Sequence, residues 1–207
     1  MYHSQVGQDK YLNEKIFKNK LNGVFLDIGA NDGVTINNTL FFEQELNWNG
    51  ICIEPNPKIY SKLILNRKCI CDNCCISEIN GNVTFAQIDG YSEMLSGIYD
   101  FYDPKHIDRI NREISMYGGS LNKIQIPSKT LMTICEQYNI FNFDFCSIDV
   151  EGGEMSIIKS INFDKINIDY FIIENNYNQL DIREYLSKFK YEFVEKVDSD
   201  DCFRKIK

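Results

Sequence analysis

Val24-Phe25-Leu26-Asp27-Ile28-Gly29-Ala30-Asn31-Asp32-Gly33 is a short apolar run that breaks into a glycine-containing turn, and the fold follows from how it is read. An apolar run bounded by glycine is a buried strand. Thr35 to Leu46 comes next, with Leu40, Phe41 and Leu46 on one side at helical spacing, so a helix follows. Gly50 to Ile53 repeats the strand and stops at Glu54-Pro55-Asn56-Pro57; Lys58 to Asn66 repeats the helix, with Ile59 and Leu63 facing inward. Strand, helix, strand, helix in this order predicts a parallel sheet covered by helices on both faces.

Outward from that core, Asn80-Gly81 turns into a strand over Val83 to Ile88, and Gly90 to Tyr99 reads as a loop. Pro104 to Met116 is a helix that opens on proline and closes near Gly118-Gly119. A short strand, Lys123 to Pro127, and a helix, Leu131 to Tyr138, come next. Phe143 to Val150 and Asp169 to Glu174 are strands separated by the helix Glu154 to Ser160. The helix Ile182 to Phe189 and a hairpin-like pair, Tyr191 to Val197 and Cys202 to Ile206, complete the pattern. No linker or repeat interrupts it. The expected organisation is one domain over residues 1–207, with an N-terminal arm over about 1–20 and a substrate-side insertion over about 90–122.

Composition narrows the function. The 207 residues are 43% hydrophobic and 25% charged with a net charge of -8, enough apolar chain for one core. An acidic chain has no global attraction for phosphate backbones, so nucleic acid is not an expected partner. No apolar run approaches the roughly 18 residues of a membrane helix, and Met1 to Lys10 is polar rather than signal-like, so a cytoplasmic protein is expected. Ala30 and Ala86 are the only alanines among abundant Asn, Ile, Lys, Tyr and Phe, as an AT-rich bacterial, protist or large viral genome would produce. Cys69, Cys71, Cys74 and Cys75 cluster, but a second ligand pair at zinc-finger spacing is missing and Ile70 and Ile76 flank them. Buried thiols are favoured over a structural zinc, and disulfides are not expected.

The glycine turn discriminates between cofactors. A nicotinamide fingerprint needs G-x-G-x-x-G, whereas here Ala30, Asn31 and Asp32 separate Gly29 from Gly33. Asp27 and Asp32 would repel a phosphate and attract a cation, while Gly29 lets the backbone approach closely. S-adenosylmethionine carries an ammonium and a sulfonium. Glu54, at the end of the second strand, stands in the window where an acid accepts the ribose hydroxyl hydrogens.

With Asp27-Ile28-Gly29-Ala30-Asn31-Asp32-Gly33, Ile53-Glu54-Pro55-Asn56-Pro57 and Ile148-Asp149-Val150-Glu151-Gly152-Gly153-Glu154 in this order, the chain resembles the FkbM family of S-adenosylmethionine-dependent methyltransferases. Ser4-Gln5-Val6-Gly7-Gln8-Asp9, Leu95-Ser96-Gly97-Ile98, His106 to Glu113 and Glu174-Asn175-Asn176 are similar to motifs of one branch of it. The resemblance implies an α/β class I methyltransferase fold, a Rossmann-like three-layer sandwich on a mostly parallel seven-stranded sheet with an antiparallel C-terminal strand. It implies O-methylation of a sugar, nucleotide sugar or glycan hydroxyl, with a non-sugar hydroxyl or a non-catalytic binding module as alternatives. Asp27, Gly29, Ala30 and Gly33 would then line the methionine moiety with Asn31 beside them. Glu54 would hold the ribose, and Pro55, Asn56 and Ser77 would border the adenine. Gln5 and Gln8 would close an arm over the cofactor.

The acceptor's proton needs a destination. His106 lies on the insertion helix and suits general-base work, with an ordinary surface histidine as the alternative. Asp149, Glu174 and Asn175 end strands, where open α/β sheets bind ligands, and are candidate catalytic groups or ligands for Mg2+, with Glu151 nearby. Asp149 is the first choice, because a carboxylate ending an apolar strand must find a partner or solvent. Glu151 and Glu154 also read as acids that complement a helix dipole. The insertion's aromatics and Arg109 and Arg112 suit a small-molecule or glycan acceptor. A homo-oligomer is compatible with all of this.

Overall fold

Alternation along Val24–Ile28 (β1) sorts its side chains into two layers. Leu26 and Ile28 enter one apolar core with Leu131, Ile134, Ile157 and Ile182, and Phe25 enters another with Phe42, Trp48 and Leu63. The protein is represented by a computed structural model that describes residues 1–176 and 180–206.

A short helix, α1 (Gln8–Tyr11), widens into a π-helical turn over Leu12–Phe17 ahead of β1. Helix α2 (Leu40–Leu46), β2 (Asn49–Ile53), α3 (Pro57–Asn66) and β3 (Ile70–Asp72) build one wing of the main sheet. Strands β4 (Cys75–Ile76), β5 (Gly81–Gly90), β6 (Gly97–Ile98) and, beyond helix α4 (Pro104–Tyr117), β7 (Gly119–Lys129) form a separate sheet. Helix α5 (Leu131–Tyr138), β8 (Asn142–Ile148), α6 (Glu154–Ser160), β9 (Asn167–Glu174), α7 (Asp181–Ser187), β10 (Tyr191–Val197) and β11 (Asp200–Lys205) return to the main sheet.

The main sheet has seven strands in the order β10-β11-β9-β8-β1-β2-β3. Pairings from β9 through β3 are parallel, and β11 runs antiparallel to both β9 and β10. This is the seven-stranded class I methyltransferase sheet that the family resemblance implies. Chain order reverses between β1 and β8, which opens a crevice at the carboxyl ends of these strands.

Two expectations change. The helix read from Thr35 begins only at Leu40. Asp32 accepts from Val34 N and Thr35 N, Ile36 sits in the left-handed region at φ 48°, and Asn37 and Thr39 turn inward to the Asp27 carboxylate, so side chains hold 34–39 as a loop. The strands read over Val83 to Ile88 and Lys123 to Pro127 belong to one long antiparallel hairpin, β5 with β7, separate from the main sheet. The segment between Gly90 and Gly119 leaves this hairpin and packs Leu95, Tyr102 and Ile110 on Ala86 and Ile88.

Candidate active site

The strand ends surround a cavity of about 370 Å³. On its floor, Gly29 N and Ala30 N each donate to Ile53 O at 3.0 Å, which ties the turn to the end of β2. Gly29 has φ 91°, and a Cβ there would stand 1.7 Å from the Asp149 carbonyl oxygen. Only glycine meets both demands.

Glu54 and Asn56 form one wall. The Glu54 carboxylate accepts from Asn31 N at 3.0 Å and Asn56 N at 2.8 Å, yet burial pushes its pKa up to about 7. Asn56 caps α3 through its Oδ1, which accepts from Lys58 N at 3.1 Å. Its Nδ2 is then a buried donor with no partner in the protein. An orphaned donor beside an acid, both lining a cavity, fits an adenosine: ring nitrogens accept and ribose hydroxyls donate. Pro55, Asn31 and, at the mouth, exposed Gln5 also line this space.

Three acids converge on the opposite wall. Carboxylate oxygens of Asp149, beyond β8, Glu151 and Glu174, at the end of β9, lie within 4.8 Å of one another. Asp149 is open to the cavity but enclosed by protein and other acids; desolvation, then Glu174 and Asp200, hold its pKa well above the carboxylate range. Burial and neighbouring acids raise Glu151 and Glu174 to about 8 each. A second cavity of about 200 Å³ adjoins the first and shares Phe101, Glu151, Glu174 and Asn176 with it. His106 lines this second space, buried rather than on the surface. Its Nδ1 is 3.7 Å from Glu151 Oε2, its ring lies on Tyr102, and burial lowers its pKa.

Several expected site residues are placed elsewhere. Asp27 faces the Phe25 layer, where Asn37 Nδ2 donates to it at 2.9 Å and Thr39 Oγ1 at 2.7 Å, and it does not line the cavity. Strand alternation and its position inside β1 point it there. Ala30 is buried in that aromatic layer, and Gly33 packs on Leu63 and Arg67. Gln8 donates to Asp200 Oδ2 at 2.9 Å instead of reaching over the cofactor space. Ser77 lies beyond the third strand, which ends at Asp72, and shares a hydrogen bond of 2.6 Å with Ser128 in the second sheet. Asn175 lines the second cavity and donates to Asp201 Oδ2 at 2.9 Å, and Glu151 joins Asp149 and Glu174 in the acidic cluster. Ile36, a cavity residue absent from the sequence reading, has a backbone conformation that is rare for a β-branched side chain.

Residues 27–193 match the sequence profile of the methyltransferase FkbM domain. The chain belongs to the FkbM methyltransferase family. No curated protein matches it significantly. It is similar to the solved structure of M. capricolum TrmK in complex with S-adenosylhomocysteine, with 12% identity and a TM-score of 0.48 over 99% of this chain and 70% of that one. It is also similar to an FkbM methyltransferase from Methylobacillus flagellatus, with 14% identity and a TM-score of 0.49, covering 88% of this chain and 43% of that one. The methyltransferase domain of METTL16 gives 12% identity and a TM-score of 0.44, over 94% and 78% of the two chains.

As an FkbM protein this chain is an S-adenosylmethionine-dependent methyltransferase, and its main cavity suits a cationic cofactor. The lining includes the acids Glu54, Glu93, Asp149, Glu151, Glu174 and Asp198 but only one base, Arg109, among the described residues. Arg109 also pairs with Glu113 at 2.9 Å. No helix among the described residues is long and apolar enough to cross a membrane.

Proposed function

We propose that this FkbM methyltransferase methylates a hydroxyl of a sugar-like small molecule or glycan, which enters through the second cavity. The observation that carries this reading is the meeting of Asp149, Glu151 and Glu174 where the two cavities join. S-adenosylmethionine supplies an electrophilic methyl group. Glu54 and Asn56 hold the adenosine end, and Phe101 and Tyr102 offer aromatic faces to a sugar ring. Asp149, with Glu174 beside it, takes the proton that leaves the acceptor oxygen as the new C–O bond forms; a carboxylate whose pKa is raised is a stronger base than an ordinary one. His106 is a positioning residue that orients Glu151 across their 3.7 Å contact. Asp149→Asn keeps the side chain's size and removes the base. Turnover should fall at least about 100-fold while calorimetry shows cofactor affinity within a few-fold of wild type; normal turnover would refute the assignment.

The same three oxygens favour a second reading. Carboxylates are the hard donors Mg2+ prefers, and Asp149, Glu151 and Glu174 would hold the ion. A cation there would lower the acceptor hydroxyl's pKa. Exhaustive treatment with EDTA separates the readings: retained turnover leaves the carboxylates alone as the base, and loss that Mg2+ restores assigns them as ligands.

A further inference from the structure

Behind the cofactor turn, outside both cavities, two thiols touch. Cys52 is buried on β2, and Cys69 stands half-buried in the turn between α3 and β3. Their sulfur atoms are 3.5 Å apart, van der Waals contact; Cys52 on β2 pairs in register with Cys71 on the parallel β3, and Cys69 lies just ahead of β3. Cys69 is therefore one same-face position away from the direct partner. Arg67, whose guanidinium is fully buried, lies next to this pair and is bridged to Glu43 at 2.6 Å. The Cys69 and Cys52 thiols share a hydrogen bond, and contacts with Cys52 and Cys71, together with the Arg67 charge, hold the Cys69 thiol well below its ordinary range. Cys71 also directs its sulfur to the Cys69 carbonyl at 3.6 Å.

We propose that Cys52 and Cys69 are an oxidation site that closes reversibly to a disulfide, with Cys69 reacting first with a peroxide and Cys52 resolving the product. The Cys69 sulfur takes one oxygen as the O–O bond breaks, becoming a sulfenic acid and releasing water or an alcohol. The Cys52 sulfur then attacks the Cys69 sulfur, and the hydroxyl leaves with the Cys52 proton as water. Two thiols are oxidised by two electrons in all, and one peroxide is reduced by the same two. The sulfurs must close to about 2.05 Å, a short approach from contact. Cys52 Sγ also lies 4.0 Å from Asp27 Oδ2, so the bond would form directly beneath the residues that hold the cofactor turn.

The fully reduced chain, with its eight free cysteines, is treated with hydrogen peroxide, and thiols are counted in denaturant. Two fewer thiols are expected, recovered with dithiothreitol, and peptide mapping should show one Cys52–Cys69 cross-link. Cys71→Ser should keep the cross-link and Cys69→Ser should lose it, with thermal melting to verify that both variants fold. A cross-link between other cysteines overturns the proposal. So does an unchanged thiol count, or a Cys69 sulfinic acid beside a free Cys52. Because mapping of the unmodified chain identifies the pair directly, the outcome does not depend on either variant.

Discussion

Asp27 lies on β1 and Glu54 just past the end of the adjacent β2, and both belong to the expected cofactor site, yet only Glu54 reaches the cavity. Glu54 follows the last residue of β2, and its carboxylate is held by two backbone amides with one edge facing open space. Asp27 is two residues short of the Gly29 turn and faces the opposite layer, where it anchors Asn37 and Thr39. Asp27 therefore shapes the turn, whereas Glu54 faces the cavity. Glu54→Gln preserves the shape but sets an amide NH2 against a backbone N–H and removes the charge. Hydrogen bonds to a charged group are worth about 1.5–3 kcal/mol, so cofactor affinity should fall about 10- to 100-fold by calorimetry. Affinity equal to wild type would take Glu54 out of the cofactor site. That Asp149, Glu54 and Asn56 line the cavity is legible in the sequence, because each ends or follows an apolar strand. Gln8, Ser77 and Asn175 bond Asp200, Ser128 and Asp201, partners distant in sequence, and no local pattern announces such a pairing.

At the scale of elements, the active site depends on how closely the tips of β1 and β8 approach. Asp149 N donates to Ile28 O at 3.0 Å, and the Asp149 carbonyl fills the space where a Cβ on residue 29 would stand. Gly29→Ala should therefore strain the left-handed backbone, at about 1–2 kcal/mol, and also push β8 away from β1. A marked drop in melting temperature is expected, with turnover reduced further than cofactor binding because Asp149 moves; a variant with wild-type stability and turnover would contradict this packing. The parallel strands were legible because their apolar runs are buried on both faces. The β5–β7 hairpin was not, since Asn82, Thr84, Lys123 and Gln125 give it a polar side and its two strands are separated by the whole of α4. Glu151 was underestimated for a related reason. An acid just ahead of a helix reads as a dipole partner, and only the left-handed backbone at φ 58° brings it to the junction of the cavities.

For the whole molecule, the concentration of acids around one crevice sets how stability responds to pH. Glu54 is raised from 4.5 to about 7, and Glu151 and Glu174 from 4.5 to about 8. Asp149 and Glu154 are raised as well. Between about pH 4.5 and 8 the native state thus binds more protons than the unfolded chain, and stability falls as pH rises through that window. Asp72 and Asp201 are shifted the other way, and their contributions vanish only as pH drops below the ordinary carboxylate value, outside the window. His106, lowered by burial, and Cys69, held below its ordinary range, gain stability for the native state as pH rises toward their ordinary values, but they are two groups against seven raised acids, Asp27 and Asp200 included. Glu54 alone amounts to on the order of 3 kcal/mol at about 1.4 kcal/mol per pKa unit, and the three clustered acids lose their protons as a group. The free protein in EDTA should therefore melt at a higher temperature near about pH 5.5 than near about pH 8.5. Adding S-adenosylmethionine, whose positive charge favours the ionised acids, should narrow the gap. A melting temperature that is flat or rises across this range would mean that these carboxylates are not held in their neutral forms, and it would remove the argument that Asp149 and Glu174 are strengthened as bases.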